Sequence, residues 1–472
     1  MTTRIERDSL GELPVPEAAL YGIQTERARQ NFPVSGLRPL AAFVNGIVWV
    51  KKAAALSHEA TGRLDARLAQ AIVAAADEVL AGEHRDQFVV DPYQAGAGTS
   101  HNMNANEVLA NRANELLGGK RGSYVPVHPN DHVNMAQSTN DAIPTALRLS
   151  ALSLLPGLLA AMRELAGALL EKGREFDHVV KAGRTHLQDA TPIRLGQEFT
   201  AYGHTVERNA DRIRGAAQWL HELNIGGSAV GTGLNVEPEY PAMMIRHLSK
   251  ITGLELREGK NRIQLMQSMG DFAAFSAVVR AYAGDLGKIG DDIRLLSSGP
   301  RTGLAEITVP AVQPGSSIMP GKVNPSIAEM VGMVCLQVMG NDHVVGLAAQ
   351  GGELELNIMM PVIAHNLLFS IEILTNATHI MAQRCVVGIT VDEAQCRYWL
   401  ERSPAIVTAL APMIGYAEAA ALAKEAVERN MTVRELVAEK GLLPMEELAR
   451  VLDLRAMTDP GVPGRRSAPA QE

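Results

Sequence analysis

The sequence predicts a mainly helical protein organised around a central bundle of long helices. Apolar residues recur at Leu265, Met269, Phe272, Val279, Leu286, Ile289, Ile293 and Leu296, in steps of three, four or seven that trace one stripe along a helix. A second stretch, 327 to 347, is apolar nearly all round, with Met330, Val331, Met333, Val334, Leu336 and Val338, as expected of a helix enclosed by others. Alternating apolar and polar runs, the mark of half-buried strands, are few. Segments 150 to 180, 195 to 225 and 357 to 384 read like the first stripe. Five long helices are therefore expected in the middle of the chain, an all-α bundle.

In chain order, residues 1–140 read as an N-terminal domain of mixed local structure, with loops rich in Gly, Asn, Asp and Ser at "DPYQAGAGTS" and "HPNDHVNMAQSTND". Residues 141–395 hold the helical bundle. Residues 396–472 read as a small helical domain ending in "DPGVPGRRSAPAQE", a tail too poor in large apolar residues to fold. Five helices of one chain can hardly cover every face of 327 to 347, so several copies are expected to pack these helices together.

With 472 residues, 46% of them hydrophobic and 20% charged, the chain can bury a large core. Its formal charge of -8 provides no general basic field for nucleic acid or anionic lipid, so a small anionic substrate needs a local cationic pocket. Cys335, Cys385 and Cys396 form no Cys-x-x-Cys pair and no metal-type spacing, and their odd number points to a reducing cytoplasm. The N-terminus lacks the apolar core of a secretory signal. The apolar stretch "ELELNIMMPVIAHNLLFSIEILTNA" carries Asn357, His365, Asn366 and Glu372, which favour a buried helix over a membrane span.

Between the helices lies "GSSIMPGKVNP", residues 315 to 325, where Gly315, Pro320, Gly321 and Pro325 stop a helix and leave a loop carrying two hydroxyls and one cation. Three further polar islands precede it: "GAGTSHNMNANE" at 96–107, "HPNDHVNMAQSTND" at 128–141 and "GRTHLQDATPI" at 183–193. Each holds Thr, Ser, Asn or His, donors suited to carboxylate oxygens, and Lys322 and His186 can add positive charge. Taken singly, each has a structural reading. Thr99, Asn102 and Asn104 could cap a helix at Glu107 to Asn114, Ser138 to Asn140 could open one ahead of Pro144, and His186 could be a structural histidine. Four such islands in one chain favour a site for a small dianion.

These stretches, in this order, resemble the motifs of the aspartase/fumarase superfamily, and "GSSIMPGKVNP" matches its signature loop at every position. "GTGLN" at 231–235, "DIRLLSSGPRTGLAEI" and "GELELN" at 352–357 also fit, so the resemblance spans nearly the whole chain. "AGTS" at 97–100 and "QSTND" at 137–141 resemble the aspartase branch. Fumarases usually place Gln at the Ser100 position and a second Ser at that of Thr139. "GRTHLQD" with "PIRLGQEF" is similar to the aspartases of bacilli in particular, whereas His101 and Met360 depart from the pattern.

The resemblance implies a three-domain fold whose long helices form a multi-helix core in a homotetramer, each site being shared among three chains. It implies a carbon–nitrogen lyase that needs no cofactor or metal and reversibly converts L-aspartate to fumarate and ammonia by anti elimination through an aci-carboxylate. Ser316 is then the base. Thr99, Ser138, Thr139 and Ser317 face the β-carboxylate, Thr185, Lys322 and Asn324 hold the α-carboxylate, and Asn140 and His186 lie near the amino group, with Glu355 supporting His186. Hydroxide from malate needs an acid to leave while ammonia does not, so His186 keeps a class II fumarate hydratase open as the alternative. A non-catalytic, crystallin-like relative comes third, since every expected hydroxyl and Lys322 is present.

Overall fold

The structure, a computed structural model, describes residues 2–463; most of the C-terminal tail, 464–472, lies outside the described residues. Among the described residues helix accounts for 62% and strand for 8%, and the strands there form five separate two-stranded pairs instead of a layer. The hairpin β1 (Thr3–Asp8) and β2 (Gly11–Pro16) precedes α1 (Ile23–Asn31), α2 (Ala41–Ala60), α3 (Ala66–Leu80) and α4 (Thr99–Leu116). Next come α5 (Thr139–Glu175), the hairpin β3 (Val180–Thr185) and β4 (Gln188–Arg194), and α6 (Leu195–Ala217). The pair β5 (Glu222–Leu223) and β6 (Arg257–Glu258) flanks α7 (Tyr240–Thr252), followed by α8 (Arg262–Gln267) and α9 (Gly270–Leu296). Then follow β7 (Ile307–Thr308), α10 (Ser326–Gln350), the hairpin β8 (Gly352–Glu353) and β9 (Leu356–Asn357), α11 (Met360–Arg384), β10 (Thr390–Val391) and α12 (Glu393–Arg402). Short helices α13 (Ala411–Ile414), α14 (Tyr416–Glu428), α15 (Val433–Glu439) and α16 (Met445–Val451) close the chain.

The five expected long helices are α5, α6, α9, α10 and α11. Two boundaries differ from the sequence reading. The stripe beginning at Leu265 is broken, because Ser268 is extended and its hydroxyl accepts from the Gly270 N–H, ending α8 and starting α9. Helix α4 begins at Thr99, well before Glu107, so Asn102 and Asn104 are buried inside it and do not cap it. Asparagine is a weak helix former, yet here its amides splint loops. Asn104 bonds Gln87 O and the Val89 N–H, and Asn114 bonds both polar groups of the Val127 backbone.

The chain divides into two compact units, one of residues 2–160, 209–284 and 334–376, the other of 161–208, 285–333 and 377–463. In the first, Ile143, Leu147, Phe272, Phe275, Leu367 and Ile371 are fully buried. Arg148 braces the unit from within: it pairs with Asp271 at 2.7 Å, donates to Trp219 O at 2.8 Å and lies over the Phe272 ring. In the second unit, Leu400, Ile406, Leu410, Leu422, Leu436 and Leu448 form a core that also takes in Ala182 of β3, anchoring the hairpin.

Candidate active site

The first unit brings Thr99, Ser138, Thr139 and Asn140 into one neighbourhood. Thr99 is the exposed first residue of α4, after Ala97 (φ 60) and Gly98 (φ 90) in left-handed conformations. A Cβ on Gly98 would sit 3.2 Å from Ile143 of α5, so glycine lets the heads of the two helices lie side by side. One turn into α4, Asn102 Nδ2 donates to Thr139 Oγ1 at 3.5 Å. At the head of α5 the Ser138 N–H donates to Asp141 Oδ1, the Asn140 N–H to Ser138 Oγ, and Asn140 Nδ2 to Ala229 O at 2.8 Å. Ser138 to Asn140 do open a helix, and all three stay partly accessible.

Beneath them lies a polar floor that the sequence reading did not single out. Lys51 of α2 has no exposed surface and donates to Asn134 Oδ1 at 3.0 Å and Gln137 Oε1 at 2.9 Å. Burial pushes its ammonium down to about 7. Asp141 is equally enclosed, and burial pushes its carboxyl up to about 6 against three backbone N–H donors and the Lys51 charge. The available signal was a lysine set within the apolar run "VWVKKAAAL".

Thr185 and His186 sit at the exposed tip of the β3–β4 hairpin. Thr185 pairs with Gln188, which leaves His186 (φ 56) and Leu187 (φ 59) as a two-residue turn with both residues left-handed. Such turns usually take Asn and Gly, so a histidine and a leucine here are held at a cost in strain. The root of β3 is fixed by charge. Buried Glu306 accepts from Arg184 at 2.9 Å and lies 3.2 Å from Lys181, which also pairs with Glu198 at 2.9 Å.

The loop 315–325 precedes α10. The Gly315 N–H donates to Lys322 O at 2.8 Å, and Asn324 Nδ2 donates to Gly315 O at 2.8 Å, closing the loop at its base. A Cβ on Gly315 would come 2.6 Å from Lys322 O, so only glycine permits that closure. Ser316 Oγ accepts from the N–H groups of Ile318 and Met319 at 3.2 and 3.0 Å. Ser317 and Lys322 are exposed, Ser316 and Asn324 half-buried. Among the described residues of this unit, no side-chain hydrogen bond joins the 185–186 tip to this loop.

Glu355 lies at the exposed tip of the β8–β9 hairpin, beside Leu354 (φ 50). Ile358, just past β9, accepts from the Ala97 N–H at 2.8 Å, tying this hairpin to the approach to Thr99. Among the described residues, Glu78, Glu83 and His84 offer the one grouping of metal-ligand type, but Glu78 already accepts twice from Arg112. None of the three belongs to the polar islands.

The family described as "Lyase" matches residues 11–340, and "Fumarase C C-terminus" matches 406–459. The chain belongs to the aspartase/fumarase superfamily of lyases. An aspartate ammonia-lyase of Bacillus subtilis (strain 168) is 47% identical, the match covering 98% of this chain and 97% of the relative. A class II fumarate hydratase of Halobacterium salinarum is 50% identical over 97% of this chain and 98% of its own. The solved fumarate lyase:delta crystallin of Brucella melitensis, bound to cobalt, superposes with a TM-score of 0.93 at 48% identity, covering 97% of this chain and all of that one. Relatives of both activities share the length of this superfamily member, so the site must discriminate between them.

Proposed function

We propose that this lyase is an aspartate ammonia-lyase, converting L-aspartate reversibly to fumarate and ammonia. The observation that carries the elimination chemistry is Ser316, whose hydroxyl already accepts from two backbone N–H groups within a loop closed at its base, and the choice of L-aspartate over L-malate rests on Ser100 and Thr139, where fumarases usually place Gln and Ser. A serine is a poor base unless its alkoxide is stabilised, and paired N–H donors supply such stabilisation. Ser316 takes the C3 proton. The electron pair moves into the β-carboxylate as an aci-dianion held by Thr99, Ser138, Thr139 and Ser317, since preorganised donors at developing charge are usually the largest catalytic contribution. Thr185, Lys322 and Asn324 hold the α-carboxylate. As the C–N bond breaks, the pair returns to form the double bond and the substrate's ammonium leaves as neutral ammonia. Asn140 and His186 line its path, with Glu355 behind His186. All of this uses the chain's own side chains, without a cofactor or metal.

The reading includes the three-part division at 140 and 395 and a homotetramer whose sites take the islands at 138–140, 185–186 and 316–324 from three different chains. The exposed apolar face of α10, with Met333, Leu336 and Leu347, supports assembly with other copies over a membrane role for this helix. Cys385 and Cys396, buried as free thiols, support a reducing cytoplasm. Substrate identity is tested by supplying L-aspartate or L-malate and following fumarate absorbance: faster turnover of L-aspartate is expected, and equal or faster turnover of L-malate overturns it. The second reading, fumarate hydratase, draws on His186 and on the Halobacterium relative.

A further inference from the structure

We propose that Asp141 and Lys51 are positioning residues of the active site: together they fix the direction in which Ser138, Thr139 and Asn140 leave the head of α5, and turnover depends on that fixation. The inference rests on the lyase reading above. Asp141 spends both carboxylate oxygens on backbone. Oδ1 accepts from the Ser138 N–H at 2.9 Å, and Oδ2 accepts from the N–H groups of Gly226 at 2.9 Å and Ser228 at 3.0 Å. One buried anion thus ties the turn before α5 to the 224–235 segment through charge-assisted bonds, stronger than neutral ones.

That segment contains "GTGLN", a motif with no other role assigned to it. Gly226 (φ 84), Gly231 (φ 94) and Gly233 (φ 75) turn it through left-handed backbone that glycine adopts freely, while Ser228 (φ 55) and Asn235 (φ 63) share that backbone, which for a residue with a side chain persists only where surrounding contacts over-determine it. A Cβ on Gly231 would come 2.6 Å from Ile263 Cα, so packing also fixes its path. The segment then acts back on the site. Ala229 O accepts from Asn140 Nδ2 at 2.8 Å, and Asn224 Nδ2 donates to Asn140 O at 3.3 Å. The orientation of Asn140 is set by a loop that Asp141 sets. From the opposite side, Lys51 grips Gln137 and Asn134, on either side of Ala136 (φ 56).

Burying a lysine and an aspartate is costly, and neutral packing would give a tie of equal or greater stability. What an anion adds is the ability to accept from three N–H groups at once. An asparagine there must point its NH2 at one of those donors.

The test uses the assembled full-length protein as wild type, Lys51→Met, Asp141→Asn and the double variant. Thermal midpoint is measured alongside kcat and KM for L-aspartate. Asp141→Asn should lower kcat by ~100-fold, the penalty of a roughly 1 Å misplacement, with KM changed far less. Each single variant should melt lower. The double, which has no unpaired buried charge, should regain part of that loss, while its kcat stays down because the three-N–H acceptor is still missing. Recovery of kcat together with the melting temperature in the double would show a purely structural role and overturn the proposal, as would Asp141→Asn with near wild-type kcat. Should neither variant carrying Asp141→Asn fold, Lys51→Met decides: lowered kcat at unchanged KM in a folded assembly supports the proposal, and wild-type kcat overturns it. A wild type that turns over neither L-aspartate nor L-malate refutes the lyase reading instead.

Discussion

Replacing Leu336 of α10 by Glu tests whether the site is built across chains. The chain covers one face of α10, burying Val331, Cys335, Val338, Val345 and Ala348. On the other face Met333 and Leu336 are each 70% exposed and Leu347 is 58% exposed, with Met339 and Val344 more than a third exposed. Together these five leave uncovered the equivalent of between two and three whole side chains. At ~2 kcal/mol for burying one such side chain, each α10 contributes roughly 5 kcal/mol when copies close over it, or about 20 kcal/mol across the four copies of the proposed tetramer. Each of the three association steps that build a tetramer costs ~4–15 kcal/mol, so the assembly holds little of this gain in reserve. A glutamate at 336 forfeits ~1.4 kcal/mol per helix of that apolar gain and adds a carboxylate whose burial costs several kcal/mol per copy, enough to erase the surplus. Light scattering and sedimentation at micromolar concentration should find smaller species with unchanged helical circular dichroism, and turnover of L-aspartate should fall to near zero. Leu336→Met should leave both intact. An undiminished tetramer, or dissociated chains with full activity, would refute the reasoning.

Ser316→Ala should abolish turnover with little change in melting temperature, since a half-buried loop hydroxyl contributes little to the core; near wild-type rate would require another base. Mixing it with Thr185→Val after reversible dissociation should restore activity to ~1/4 of wild type, because an intact loop and an intact hairpin tip must each be drawn from the right variant. No recovery in hybrids shown by mass to contain both variants would place each site within one chain. His186→Gln should keep an appreciable fraction of ammonia-lyase activity, as the leaving amine carries its own proton; a loss as large as that of Ser316→Ala would contradict this. His101 is buried against Phe43, and burial pushes its imidazole down to about 3 from the ordinary 6.5. Below pH 6.5 the unfolded chain gains a proton that the folded chain refuses until about pH 3. Stability is therefore lost as pH falls, by ~2 kcal/mol at pH 5. His101→Leu should flatten the fall in melting temperature between pH 7.5 and 5, and an unchanged slope would refute the account.

The long helices were legible because their cores obey a 3.6-residue period over twenty residues or more, where summed burial outweighs any local exception. The start of α4 was not. Asn102, Asn104 and Asn106 disfavour a helix locally, and only bonds to distant groups such as Gln87 O and the Val89 N–H reverse that preference. Of the site, the loop at 315–325 announced itself through Gly and Pro. The turn at His186–Leu187 did not, because a two-residue turn with both φ positive is normally signalled by Asn-Gly. Lys51 stayed hidden because periodicity reports which face is apolar and says nothing about which polar group that face encloses. The His186–Leu187 turn has counterparts elsewhere. Ala97, Ala136, His186, Leu187 and Ser228 all adopt backbone that ordinary side chains avoid, and each lies within or hard against the polar islands or the segment bonded to them. Local propensity is overridden where tertiary contacts hold a chain in strain, and such strain persists only where many contacts agree. In the first unit Ala97, Ala136 and Ser228 lie beside Thr99, Ser138 and Asn140, and in the second His186 and Leu187 lie beside Thr185, so each of these groups of proposed site residues is supported by backbone strain as well as by its motif.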